Sequence, residues 1–174
     1  MPPVSIRPTT QADIPVITRI YAEAVMNGTA SFELEPPDEA EMARRMTALL
    51  DDGFPYLAAE IGGTLAGYAY AGPYRPRRAY RFSVEDSIYV DPAAQRKGVG
   101  RALLTRLIEE AGRRGFRQMI AVIGDSAQNP SIEIHRALGF RMIGAVENVG
   151  FKFDRWLDSV LMQRAIGPGA TTKP

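Results

Sequence analysis

The sequence predicts an α/β fold of the α+β kind, in which helices pack on one mixed sheet. Three observations carry this expectation. The chain has 174 residues, which suits one domain with a single core. Segments of helical period alternate with shorter segments of period two, in the order strand, helix, helix, hairpin, strand, helix, strand, helix, strands. The composition is 45% hydrophobic and 24% charged, inside the globular range. Residues 1–166 are expected to form the domain, and 167–174 (GPGATTKP) a disordered tail.

Residues 5–8 read as a short strand. Thr10 to Asp13 open a helix with Pro15 in its first turn and Ile14, Ile17, Tyr21, Ala24 and Val25 at helical spacing, and Gly28 ends it. Residues 30–37 are a loop or short strand carrying Phe32. Asp38 can cap a second helix whose stripe is Met42, Met46, Leu49 and Leu50, closed by Asp51-Asp52-Gly53. Tyr56–Ile61 and Thr64–Tyr70 flank Gly62-Gly63, a hairpin signal. Gly72–Arg81 breaks regularity with two prolines and four arginines. Phe82–Val90 then alternates, with Phe82, Val84, Ile88 and Val90 on one face and Ser83, Glu85, Ser87 and Tyr89 on the other. Asp86 interrupts the apolar face. Gly98–Gly115 is an amphipathic helix, Gln118–Ile123 an apolar strand, and Pro130–Leu138 a short helix ended by Gly139. Phe140–Val146 and Trp156–Gln163 complete the order as strands around a loop.

Composition excludes several chemistries. Cysteine is absent, which removes disulfides, thiolate metal sites and cysteine nucleophiles. The single histidine, His135, rules out multi-histidine zinc sites, and no metal is expected. Net charge is +1, too neutral for a protein devoted to nucleic acid. No run of about 18 apolar residues is present, so no membrane span is expected. The start, MPPVSIRPTT, lacks the apolar core of a signal peptide, and a cytoplasmic location is the expectation.

The strongest chemical signal is the run from Val90 to Arg101, VDPAAQRKGVGR. A strand ends, Asp91-Pro92 turns the chain, and a loop with Gly98 and Gly100 feeds a helix. Such a loop aims backbone N–H groups at one place beside the positive end of a helix dipole. Arg96, Lys97 and Arg101 add charge, so a phosphate or pyrophosphate fits there. A Walker loop is absent, and the third glycine of the dinucleotide fingerprint is replaced by Leu103. A plain strand-to-helix turn is the competing reading.

Gln95-Arg96-Lys97-Gly98-Val99-Gly100 after a strand resembles the Q/R-x-x-G-x-G/A signature of the GNAT N-acetyltransferase superfamily. Asn129-Pro130-Ser131 and His135–Phe140 (HRALGF) resemble that superfamily's second motif, in the expected order. Thr29–Pro36, Val84–Val90, Ala121–Gly124 and Val149–Asp158 extend the similarity to its phosphinothricin and methionine sulfoximine/sulfone acetyltransferase branch, over roughly residues 5–165. The resemblance implies a mostly antiparallel twisted sheet with helices on both faces and a splayed parallel pair at the acetyl-CoA site. It also implies transfer of acetyl from acetyl-CoA to the amine of a small amino acid, a detoxification role, and a homodimer.

Site roles follow from that resemblance. Glu85 matches the proposed general base and shares its strand face with Ser87, a further acceptor contact. Ile88, Tyr89 and Val90 would lie along the cofactor, whose thioester carbonyl backbone N–H groups there can hold. Arg96, Lys97, Gly98, Val99, Gly100 and Arg101 would cradle its pyrophosphate, and Asn129 and Ser131 its pantetheine arm. His135 occupies the position that commonly donates a proton to the CoA thiolate. Orienting substrate and packing in the core remain its other readings, because Ile132 and Leu138 put it on the apolar helix face. For the acceptor, Arg75 and Arg77 would clamp acidic groups, Phe32 and Tyr80 form an aromatic wall, and Gly124 the floor. A protein N-terminus or lysine as acceptor, or an inactive acyl-CoA-binding module, are the competing functions.

Overall fold

The computed structural model describes residues 2–174. Its elements are β1 (Val4–Pro8), α1 (Ile14–Asn27), α2 (Glu39–Asp51), β2 (Tyr56–Ile61), β3 (Thr64–Pro73), β4 (Ser83–Val90), α3 (Val99–Arg113), β5 (Gln118–Gly124), α4 (Asn129–Ala137), β6 (Arg141–Lys152) and β7 (Arg155–Ala165). The strands form one seven-stranded sheet in the order β1-β2-β3-β4-β5-β7-β6. Neighbours are antiparallel except β4 and β5, which run parallel. This is the mixed sheet the sequence predicts.

Helices cover both faces. Leu103, Leu104 and Leu107 of α3 are fully buried against Ala69, Ala71, Val84 and Met119 of the sheet, joined by Ile132 of α4. Ile17 and Ile20 of α1 and Met42 and Met46 of α2 pack on Tyr56, Ala58 and Tyr68 from the other side. Burying one such aliphatic side chain contributes about 1.5–3 kcal/mol, so these two layers hold the sheet flat against its helices. At the head of α2 the Asp38 side chain accepts a hydrogen bond from the Glu41 N–H at 2.8 Å, as its capping chemistry dictates.

The last hairpin departs from the sequence expectation. Rather than two strands around a long loop, β6 and β7 pair almost to their tips, through Gly150 with Leu157 and Lys152 with Arg155. Phe153 and Asp154 make the turn, both left-handed at φ 54° and 55°. A two-residue turn of that form ordinarily advertises itself by Asn-Gly or Asp-Gly, and Phe-Asp hides it. The register also slips between Val146 and Gly150, which breaks the alternation a reader would follow. β3 likewise runs on to Pro73, past the expected end at Tyr70. After β7, residues 167–174 run as turns, and the Arg117 guanidinium donates to the carbonyls of Gly169 and Lys173 at 3.0 and 3.1 Å.

Leu103→Ala removes a fully buried side chain from the α3 layer. We expect a loss of about 2–5 kcal/mol in urea unfolding, with the native circular dichroism spectrum unchanged.

Candidate active site

Parallel pairing between β4 and β5 covers only Ser83–Asp86 against Gln118–Ala121. Beyond those residues β4 stays on β3, as far as Gly67 opposite Val90, while β5 stays on β7. The two strands therefore part in the middle of the sheet, and backbone groups of Ser87–Val90 that face β5 have no strand partner. A cleft opens there, lined among others by Ser87, Ile88, Tyr89, Gly124, Ser131 and His135.

The glycine turn sits at the open end. Asp91 accepts from the Ala93 N–H at 2.9 Å and holds the Arg19 guanidinium at 2.6 Å. Gly98 then precedes α3 at φ 82°, a left-handed backbone that a side chain would strain. No side chain caps this helix, and its first internal bond runs from the Ala102 N–H to the Gly98 carbonyl. The N–H groups of Val99, Gly100 and Arg101 consequently have no helical acceptor. Gly100 lets α3 approach closely, since a Cβ there would meet the Ile134 side chain at 3.3 Å. Arg96, Lys97 and Arg101 are solvent-exposed around it.

Strand alternation separates the ionisable groups of β4. Glu85 faces the α1–α2 side with Ser87 and Tyr89, half-buried opposite Gly72 of β3. Burial, and then the adjacent Asp86 carboxylate, push the Glu85 carboxyl up to about 7. A carboxyl so poised exchanges protons near neutrality.

Asp86 faces the α3–α4 side, and this residue gives the site its buried polar centre. Its Oδ2 lies 2.9 Å from His135 Nε2, while His135 Nδ1 lies 2.7 Å from the Ser131 carbonyl. Both residues are buried, at 6% and 3% exposure. Phe140 stands edge-on against the imidazole at 4.9 Å. Burial pulls the ring's pKa down, but the Asp86 hydrogen bond and charge, with the Ser131 carbonyl, outweigh it and leave it raised. The sequence marked Asp86 only as a break in an apolar face; that break was the signal for a buried partner.

The loop after α1 forms the next wall. Phe32 wedges between two glycines: a Cβ on Gly124 would lie 2.8 Å from its ring, and one on Gly150 2.5 Å. Lys152, 5% exposed, donates to the Ser31 carbonyl at 2.9 Å, and Tyr21 pairs with the Ser31 hydroxyl at 2.9 Å. Gln128 Nε2 donates to Thr29 Oγ1 at 2.8 Å, and Gln128 and Ala30 both line the cleft. Sequence reasoning missed Lys152, Gln128 and Ala30, which carry no local signal; the contacts join residues about a hundred positions apart.

Other expected residues lie elsewhere. Asn129 begins α4, exposed, with its N–H donating to the Ala127 carbonyl at 2.8 Å. Arg75, Arg77 and Tyr80 are exposed on the loop joining β3 to β4, beyond Gly72, and do not line the cleft. There the Arg75 guanidinium stacks over Tyr74 at 5.2 Å, and Tyr74 meets Tyr80 edge-on at 5.8 Å.

Residues 6–161 match the family model described as an acetyltransferase (GNAT) domain. The chain belongs to the GNAT acetyltransferase family. This acetyltransferase is 52% identical over 170 residues to the phosphinothricin N-acetyltransferase of Alcaligenes faecalis, covering 98% of this chain and 86% of the relative. It is 41% identical to the L-methionine sulfoximine/L-methionine sulfone acetyltransferase of Salmonella typhimurium, covering 92% of this chain and 93% of that one. Among solved structures it superimposes, with a TM-score of 0.96, on a GNAT phosphinothricin acetyltransferase from Sinorhizobium meliloti in complex with acetyl-CoA. That protein is 50% identical, and the match covers 98% of this chain and 92% of that one.

The glycine seats under the loop can be tested directly. Gly124→Ala places a Cβ 2.3 Å from the Thr29 carbonyl oxygen, a backbone atom that must shift. We expect a loss of about 1–3 kcal/mol in thermal unfolding, together with displacement of Phe32 in a crystal structure.

Proposed function

We propose that the protein is an acetyl-CoA-dependent N-acetyltransferase acting on the α-amino group of a small amino acid or analogue of the phosphinothricin, methionine sulfoximine or methionine sulfone type. The observation that carries the reading is the parting of β4 from β5 with an uncapped helix start at its open end. A long thin donor bearing a pyrophosphate fits these residues. Val99, Gly100 and Arg101 offer free N–H groups, Arg96 and Lys97 add charge, and Gly98 leaves the turn open. Ile88, Tyr89 and Val90 present backbone to the thioester end, with Asn129 and Ser131 flanking the pantetheine arm. Acetyl-CoA supplies an activated acetyl group; the protein's residues do the rest.

An α-amino group is mostly protonated at pH 7, so the acceptor must lose a proton before it attacks. Glu85, poised near 7 by burial and Asp86, is the base in this reading, directly or through one water. Ser87 and Tyr70, directly opposite each other in the β3–β4 pair, lie beside it on the same face. Phe32 and Gly124 bound the acceptor pocket on the far side of the cleft. Arg75, Arg77 and Tyr80 sit on the loop leading into the Glu85 strand, and their anion-binding chemistry suits an acidic acceptor.

A homodimer is part of the reading. Val149, Phe151, Phe153 and Trp156 on the β6–β7 hairpin are 51%, 53%, 52% and 61% exposed, an apolar face that a second copy would cover. Among the described residues no helix is long and apolar enough to cross a membrane. A cytoplasmic location and a detoxifying role complete the proposal, the first in keeping with a cysteine-free chain.

Free-thiol release from acetyl-CoA, measured with methionine sulfone, methionine sulfoximine, phosphinothricin and a peptide panel, tests the reading. Turnover confined to peptides would replace the acceptor, and binding without any turnover would leave an acyl-CoA sensor. Glu85→Gln should cut kcat about 10²-fold or more, with acetyl-CoA affinity unchanged. Because an acid raised to about 7 must ionise to act, wild-type kcat/KM should climb through pH 7. The variant should lose that limb and recover partly at high pH, where the amine is already neutral. Arg75→Ala should raise the acceptor KM while leaving acetyl-CoA binding intact. Trp156→Glu should convert a dimer to a monomer in sedimentation velocity.

A further inference from the structure

Both ring nitrogens of His135 are engaged by acceptors. The Ser131 carbonyl can only accept, so Nδ1 carries a proton at 2.7 Å. Nε2 and Asp86 Oδ2, 2.9 Å apart, then hold one proton between them. The pair is neutral overall whether that proton rests on imidazole or carboxyl, which lets it survive at 3% and 6% exposure. Here Asp86 Oδ1 is buried without any hydrogen-bond partner, and both residues line the β4–β5 cleft. A buried carboxylate oxygen with no protein donor calls for a water, ion or ligand group beside it, and the cleft is where one would come from.

We propose that Asp86 is a positioning residue that acts through His135: it fixes the imidazole and holds on it the proton that the departing thiolate takes. The inference rests on the acetyl transfer proposed above. As the carbon–nitrogen bond to the acceptor forms and the carbon–sulfur bond breaks, the electron pair of the broken bond goes to sulfur. The dyad gives its shared proton to that sulfur. Neutral His135, protonated on Nδ1, and an ionised Asp86 remain, and solvent restores the proton. The acceptor nitrogen loses two protons, one from the ammonium before attack and one as the amide forms. Both leave to solvent, the first by way of Glu85, and since the dyad takes one back from solvent the cycle releases one proton net, beside the CoA thiol.

The groups facing His135 are few. From β4 it is Asp86, while the neighbouring Glu85 is turned to the opposite face of the sheet; from α4 the Ser131 carbonyl; from β5, Ala121–Gly124 offers nothing titratable. Titration of the imidazole therefore reports the pair. His135 is the only histidine of the chain, so one imidazole resonance in the NMR spectrum of the whole protein belongs to it.

The test compares wild type with Asp86→Asn and, from the other side of the pair, His135→Asn. In wild type the ring should titrate above its ordinary value, and kcat should fall on the alkaline side as the pair loses its proton. Asp86→Asn should move both midpoints down by about one pH unit or more. At the pH optimum it should lower kcat about 10²-fold, with the acetyl-CoA dissociation constant within threefold of wild type. His135→Asn should abolish the alkaline limb. The proposal is overturned if the Asp86→Asn imidazole titrates as in wild type, or if activity falls only in proportion to folded protein. The NMR titration needs no turnover. Failure of the acetyl-transfer reading would show as inactivity of wild type with every acceptor, and failure of the dyad as an unmoved resonance.

Discussion

The separation of β4 from β5 is the constraint on which the rest of the molecule depends. A parallel pair buried between helices is ordinarily zipped along its length, because an unpaired backbone group in a dry interior costs free energy. Here pairing stops after Asp86 and Ala121, and each strand is kept straight by its other neighbour. That works only because β3 and β7 are long and well seated, and because α3 lies across β1 to β4 as a brace. The opening is thus a built gap in a stiff sheet, and an extended ligand with amide groups of its own can fill it as a missing strand would.

Around this gap, polar groups are held by contacts distant in sequence. Lys152 near the end of β6 grips the Ser31 carbonyl, and Asp125, left-handed at φ 77°, takes the Arg155 guanidinium at 2.6 Å. Thr29, Gln128 and Tyr21 add further ties, so the loop after α1 is fastened to the β5–α4 connection, β6 and α1 at once. Phe32 gains its seat only because positions 124 and 150 lack side chains. The order of the wall therefore depends on the final hairpin, which is itself exposed along its apolar residues. Anything that covers that hairpin also steadies the loop.

Much of this was legible in the sequence. The strand-to-helix turn, Glu85 on a polar strand face, the Gly62-Gly63 hairpin and the Asp38 cap all rest on local chemistry, and local chemistry can be read in a window of a few residues. The hairpin at Phe153-Asp154 was not legible, because its turn lacks the residues that left-handed backbone favours and its register slips at Val146. The Asp86–His135 bond joins positions 49 apart, and no spacing rule links a strand to a helix at that distance. What the sequence did hold was a misfit, an acid among Val84, Ile88 and Val90, and a lone histidine between Ile132 and Leu138. Two misfits on apolar faces are a pairing waiting to be matched, since each is costly alone.

Glu85 and Asp86 are consecutive residues, yet alternation along β4 sends them to opposite sides of the sheet. The backbone between them acts as a septum one strand thick. The two carboxyls thus serve opposite faces of the sheet while still sensing each other, since the Asp86 charge adds to burial in raising the Glu85 carboxyl. Inserting or deleting one residue between Ser83 and Glu85 would send each carboxyl to the other's face while leaving the composition of the strand almost unaltered.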